Sequence, residues 1–156
     1  SDVQRGTINC LIDLFAEDKT FGSLITVPEK TEQALPALRA LVVPDERDWL
    51  FQQNAKLALR PLFEQAELLA KQYDAVVANP PYMSGMPEPL KSFVDAVYAD
   101  GKYNLYGPFV FRNTAFSRSC GFVAMITLRG WMFSNRYEKF RSGILSHFTI
   151  SSMAHL

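Results

Sequence analysis

The spacing of apolar positions along this chain changes character partway through. Over residues 7–17 (TINCLIDLFAE) they recur at helical intervals. A turn and a short extended piece around FGSLITV follow between Lys19 and Pro28, and residues 31–41 read as a short helix bent or interrupted near Pro36. The clearest helical pattern runs over 46–72, where Trp49, Leu50, Leu57, Leu62, Phe63, Ala66 and Leu69 fall on one side and read as core packing. Pro61 lies inside this run. Its ring lacks an N–H and crowds the preceding turn, so a kink or a division into two helices is expected there.

The pattern then changes. Residues 73–78 contain the unbroken apolar run Ala75-Val76-Val77-Ala78, expected of a strand buried on both faces in a parallel sheet. The run stops at Asn79-Pro80-Pro81-Tyr82 and a loop, MSGMPEP. Helices are expected over 88–99 and 106–119 (YGPFVFRNTAFSRS), and a second buried strand over 120–128 (CGFVAMITL). Beyond the loop RGWMFSN, residues 136–146 form an amphipathic helix with Tyr137, Phe140, Ile144 and Leu145 apolar, and 147–156 (HFTISSMAHL) read as a third strand. The order strand, helices, strand, helix, strand implies right-handed crossovers and an α/β fold with a parallel sheet, preceded by a helical segment.

Composition narrows the class. The 156 residues are 48% hydrophobic with twelve Phe, enough to bury a core, and the 16 basic and 16 acidic residues cancel. A free-standing nucleic-acid binder carries a basic excess, so these residues alone are not expected to grip DNA, although a part of a larger DNA enzyme is compatible with neutrality. Cys10 and Cys120 form neither a metal-ligand spacing nor a disulfide framework. They read as reduced thiols serving as small buried hydrophobes in a cytoplasmic protein. No apolar run approaches the roughly 18 residues of a membrane span, and the N-terminus shows no signal-peptide pattern.

Candidate chemistry gathers at Asn79. Sites in parallel sheets lie at the carboxyl ends of strands, and Asn79 sits at such an end. Two prolines forbid further ladder pairing on their nitrogens and stiffen the exit from the sheet. The Asn79 side-chain carbonyl and the Pro80 main-chain carbonyl are two acceptors on one rigid turn. Together they can take both hydrogens of an exocyclic –NH2 and turn its lone pair out of the ring plane, toward an electrophile. Tyr82 can stack on the flat ring that carries the amine, a contact worth roughly 1–3 kcal/mol. Pro81 keeps the turn rigid. An adenine would have to swing out of its duplex to reach it. The plain alternative is a strand terminator with Tyr82 in the core.

Other residues carry weaker signals. His147 and His155 lack partners at useful spacings and read as structural. Asp74 reads as a capping or pairing surface carboxylate. Arg129, Arg136, Lys139 and Arg141 either touch phosphate or form a solvated helix face balanced by Glu138, and Lys91 and Lys102 are open to the same two readings. No Walker loop, nucleophile elbow or zinc motif is present.

YDAVVANPPY resembles motif IV of the amino-methyltransferases that use S-adenosylmethionine. NLYGPFVFRNTAF (104–116) resembles the segment following it in adenine-specific DNA methyltransferases, with Asn104 where Asp is commoner, and GFVAMITLRGWMFSNRYEKFRSGIL (121–145) resembles their next strand, aromatic loop and helix. FGSLITVP (21–28) and LFEQAELLAKQYDAVVANPPYMSGM (62–86) are similar to the large PglX-type methylase of BREX phage-defence systems. The resemblance implies part of a Rossmann-like class I methyltransferase sheet over 73–156, with residues 1–72 a helical segment packed on or inserted in that catalytic domain.

It further implies a DNA adenine N6-methyltransferase of phage defence or restriction–modification. Asn79, Pro80, Pro81 and Tyr82 would be catalytic, and Asn104, Tyr106 and Phe109 would line the S-adenosylmethionine side. DNA would be the partner through the full-length protein, with other subunits of a defence system and no membrane. The family's glycine-rich cofactor loop is not here, for no two of the eight glycines form a G-x-G pair. A central piece of a longer methylase, inactive alone, is therefore expected. Methylation of RNA guanine or protein glutamine, or a non-catalytic recognition module descended from a methylase, are the competing readings.

Overall fold

A computed structural model describes residues 2–43, 45 and 48–154. His155 and the first two residues of the expected 46–72 helix, Glu46 and Arg47, lie outside the described residues. The chain divides into two compact units, Ser1–Tyr73 and Asp74–Leu156.

The first unit is helical. Helix α1 spans Asp2–Leu14, the short α2 spans Asp18–Phe21 and runs into a 3-10 turn at Gly22–Leu24, α3 spans Glu29–Leu41 and α4 spans Leu50–Ala70. Leu11 and Phe15 at the end of α1, Leu35, Leu38 and Val42 along α3, and Phe63 and Ala66 of α4 meet in one core, with Ile25 and Val27 of the FGSLITV piece beneath them. The three-and-four spacing of these residues is the helical period read from the sequence. Helix α4 continues through Pro61 as one element and is not divided.

The amino-terminal half of α4 corrects an expectation. The helical period places Trp49, Leu50 and Leu57 in the core, yet all three are exposed. The cause is length. At about 1.5 Å per residue, the 21 residues of α4 run about 31 Å and the 13 of α3 only about 20 Å, so α4 overhangs the helix it packs on. Polar contacts hold the overhang instead. Gln52 Oε1 accepts from the Trp49 N–H at 3.0 Å, and Lys56 Nζ reaches Asp48 Oδ2 at 2.7 Å and the Val43 carbonyl at 3.1 Å.

The second unit holds strand β1 (Tyr73–Ala78) from its second residue onward, helix α5 (Leu90–Val97), a 3-10 turn at Ala99–Gly101, helix α6 (Tyr106–Phe116), strand β2 (Ser117–Met125), the short α7 (Gly130–Phe133), a 3-10 turn at Asn135–Tyr137 and helix α8 (Glu138–His147). Among the described residues β1 and β2 form a two-stranded sheet. The Asp74 carbonyl lies across from Gly121, and the Ala78 carbonyl accepts from the Ile126 N–H at 3.2 Å, so both strands advance in the same direction. They are parallel, with two helices in the crossover, as the element order predicts.

Both strands were expected to be buried on two faces, and they are not. Val76, Ala78, Val123 and Met125 are half-buried on one face, where the Asn113 amide reaches Met125 Sδ at 3.5 Å. Val77 is 80% exposed and Phe122 73% exposed on the other. The helices described here cover one face only, and alternation along a strand leaves every second side chain uncovered.

Strand β2 also starts earlier than expected, at Ser117. Cys120 adopts φ +62°, a left-handed bulge, and the next residue has no room for a Cβ, which would lie 2.5 Å from Ser117 Oγ. The bulge turns Cys120 outward, so it is an exposed thiol and not a buried hydrophobe, while Cys10 is half-buried with Sγ 3.6 Å from Thr31 Oγ1. The third strand is absent among the described residues. Helix α8 runs on to His147, whose Nδ1 meets the Gly143 carbonyl at 2.9 Å in the manner of a helix-end cap. Residues 148–154 have exposed side chains and no ladder partner, and an extended segment becomes a strand only beside another.

No helix among the described residues is long and apolar enough to cross a membrane.

Candidate functional site

Strand β1 delivers the site. Its last carbonyl, Ala78, is taken by Ile126, the residue after β2, and the next residue, Asn79, leaves the sheet at its carboxyl end. Pro80 is buried and Pro81 exposed, so the turn has one foot in the fold and one in solvent. Among the described residues nothing donates to the Pro80 carbonyl. Asn79 Oδ1 receives the Tyr82 hydroxyl at 3.4 Å, the outer limit of a hydrogen bond and readily given up to a closer donor. The two acceptors inferred from the sequence are thus both available to an incoming amine.

The turn is fastened by the residues read as the cofactor side. Asn104 Oδ1 accepts from the Met83 N–H at 3.1 Å, Leu105 N donates back to the Met83 carbonyl at 2.8 Å, and the Asn104 carbonyl accepts from Gly107 N at 2.9 Å at the start of α6. This bond uses only the side-chain acceptor of Asn104. Aspartate, commoner here in the similar methyltransferases, would accept it equally well.

Tyr82 is 45% exposed, and its ring rests edge-on against Tyr106, centroids 6.3 Å apart. Tyr106 is 1% exposed and stacks on Tyr137 at 6.1 Å. Burial pushes the Tyr106 phenol above its usual pKa, and a hydrogen bond with Tyr137 adds to the shift, so the Tyr106 ring stays a neutral packing element. The contacts continue from Tyr137 to Phe140 at 5.7 Å and from Phe140 to Trp131 at 5.8 Å. A line of rings therefore joins the NPPY turn to the loop after β2. Tyr106 is the floor beneath Tyr82, and Phe109 is half-buried on the same helix.

Two close approaches shape this floor. A Cβ on Gly107 would lie 2.1 Å from the Gly101 carbonyl oxygen, so the start of α6 sits directly on the preceding turn. This glycine pair is used within the fold and opens no cradle for a ligand. Gly85 and Gly130 have open space around them but stand alone in sequence.

The basic group after β2 separates on inspection. Arg141 Nη1 donates to the Trp131 and Ser134 carbonyls, each at 2.7 Å, and is therefore committed to the loop and not to a ligand. Arg129, Arg136 and Lys139 are exposed, with the Arg136 guanidinium 5.5 Å from the Tyr103 ring centroid. Lys102 pairs with Asp95 at 3.4 Å, Lys91 is exposed, and Asp74 pairs with Arg118 across the sheet. Sequence reasoning passed over Arg112, which is buried with its guanidinium carbon 3.9 Å from the Phe116 ring centroid. Desolvation lowers its pKa. A cation inside the apolar run VFRNTAF was the available signal.

The family model of the Eco57I restriction-modification methylase matches residues 14–156. A protein of Escherichia coli O9:H4 (strain HS), named adenine-specific methyltransferase BrxX, is 41% identical over 147 residues, covering 92% of this chain and 12% of the relative. A protein of Lacticaseibacillus casei (strain Zhang), named adenine-specific methyltransferase PglX, is 32% identical over 163 residues, covering 100% of this chain and 13% of the relative. The chain thus spans 12 to 13% of the length of these curated relatives. With a parallel sheet, an NPPY turn at its carboxyl edge and a family match over most of its length, this chain belongs to the Eco57I restriction-modification methylase family.

Proposed function

We propose that this chain is the target-amine half of a site-specific DNA adenine N6-methyltransferase, acting within a longer protein in phage defence or restriction–modification. The observation that carries this reading is the pair of available acceptors, Asn79 Oδ1 and the Pro80 carbonyl, on a turn with the half-exposed Tyr82 ring beside them. An extruded adenine places its N6 hydrogens on the two acceptors and its ring on Tyr82. The bonds leave the N6 lone pair out of plane for attack, and the proton departs after transfer, so no prior general base is required. Pro81 stiffens the turn. The adenine-specific names of both relatives support adenine over guanine or glutamine as the target.

Family membership implies a methyl donor, S-adenosylmethionine. The described residues do not by themselves fit that whole molecule, because no two glycines form a G-x-G loop, and Gly107 at the start of α6 is packed against the Gly101 backbone. Asn104, Tyr106 and Phe109 are the part of the chain assigned to the cofactor side, with Tyr106 acting through the floor it forms. Residues 73–156 form the catalytic part, and 1–72 are a helical addition to it. The chain alone is inactive in this reading. The test is nucleoside mass spectrometry of DNA, RNA and protein digests from cells carrying the longer protein. Methyladenine in DNA alone supports the reading. Methylguanine in RNA or methylglutamine, with unmodified DNA, would replace it.

A further inference from the structure

Phe133 ends α7 and is 75% exposed, although its surroundings are firmly held. Arg141 grips the carbonyls on both sides of it, Trp131 and Ser134, at 2.7 Å each. Ser134 N donates to the Gly130 carbonyl at 3.0 Å, and Trp131 Nε1 donates to Thr127 Oγ1 at 3.1 Å. Residues two apart on a helical turn point about 200° from one another. Trp131 packs inward on Phe140, so Phe133 is aimed outward. With the backbone that carries the ring held in this way, covering the ring requires no further ordering of the loop.

Its position suggests what does. The loop bearing Phe133 leaves the carboxyl end of β2, the strand hydrogen-bonded to the one that ends just before Asn79. The ring contacts from Trp131 through Phe140, Tyr137 and Tyr106 to Tyr82 tie this loop to the NPPY turn. Arg129, Arg136 and Lys139 stand exposed on the same stretch and suit phosphates. An adenine swung out of a duplex leaves a gap in the stack, and apolar side chains that enter such gaps hold the distorted duplex open.

We propose that Phe133 is a wedge that enters the DNA stack where the target adenine has left it, with Arg141 as the positioning residue that holds the wedge rigid. The proposal rests on the DNA-adenine reading above. It is tested in the longer protein with duplexes of about 30 base pairs carrying the methylated sequence mapped from host DNA. The target adenine is placed opposite thymine in one duplex and opposite an abasic site in the other. Phe133→Ala loses about ten- to hundredfold in methylation rate on the paired duplex, and most of the loss is recovered opposite the abasic site, where the base is already loosened. Arg141→Ala follows the same pattern, and Phe133→Leu, which keeps an apolar wedge, loses less. 2-Aminopurine at the target position brightens with the wild type and not with Phe133→Ala.

Undiminished activity of Phe133→Ala on the paired duplex overturns the wedge. Equal loss on both duplexes also overturns it, since that is the result if another part of the protein covers Phe133. A wild-type protein that leaves adenine unmethylated defeats the underlying reading and the wedge with it.

Discussion

The Asn104 side chain accepts a hydrogen bond from the Met83 N–H at 3.1 Å, tying the start of α6 to the residue that follows the NPPY turn. Leu105 returns a bond to the Met83 carbonyl at 2.8 Å, so the turn is clasped from both sides of one residue. Asn104, proposed for the cofactor side, therefore also holds the residue that follows the NPPY turn. Removing the acceptor with Asn104→Ala leaves the Met83 N–H unpaired and loosens the turn. The expected cost is about 0.5–1.5 kcal/mol, read as a two- to tenfold fall in methylation by the longer protein. Asn104→Asp keeps the acceptor and stays close to wild type. If Asp were as poor as Ala, the amide hydrogens and not the clasp would be what matters.

In the proposed function Tyr82 contributes a ring more than a hydroxyl. Its hydroxyl bond to Asn79 is long, at 3.4 Å, while its ring is seated against Tyr106. Tyr82→Ala is expected to lower kcat/KM by about ten- to hundredfold, the value of one base–aromatic stack. Tyr82→Phe should be mild. Steady-state kinetics on a methylatable duplex decide it, and a Phe variant as damaged as Ala would contradict stacking as the role.

Two glycines should respond to alanine in opposite directions. At Gly107 the new methyl meets the Gly101 backbone, which cannot move aside without shifting the turn ahead of α6, and overpacking of this kind costs about 1–3 kcal/mol or more. Gly143 lies inside α8 with nothing within 4 Å of its Cβ position, so alanine there removes a helix penalty and stabilises by about 0.5–1 kcal/mol. Thermal melts of the two variants beside the parent chain check both signs. A Gly107→Ala melt equal to the parent would show that the approach relaxes cheaply.

Much of this was legible in the sequence because local chemistry governed it. The prolines at 80 and 81 announce a strand end, and the helical period within 46–72 announces a long helix, packed on the core over its second half. What misled was context. Trp49 and Leu50 obey the same helical period as Phe63, but α3 is too short to cover them. Val77 and Phe122 look like residues of a doubly covered sheet, and period-two alternation leaves them bare when helices lie on one side. The strand expected over 147–156 has the composition of a strand, but among the described residues it has no neighbour to pair with. Ser117 to Ser119 read as the end of a helix, because the positive φ at Cys120 that turns them into a bulged strand has no counterpart in residue type. At the candidate site, Asn79 and Tyr82 stand out in the sequence as candidates, whereas the long-range Met83–Asn104 bond and the grip of Arg141 on its loop do not. Both depend on which chain segments meet.

The most direct test of the central claim is a single substitution. Asn79→Ala in the longer protein removes one of the two acceptors while leaving the prolines, the Met83 clasp and the ring line in place. The quantity to measure is N6-methyladenine in host DNA, by nucleoside mass spectrometry, with circular dichroism to establish that the variant folds. The account predicts clear methyladenine with the wild type and none with a folded Asn79→Ala. A folded variant that methylates at close to the wild-type level would contradict the assignment of the NPPY turn as the site that holds the target amine.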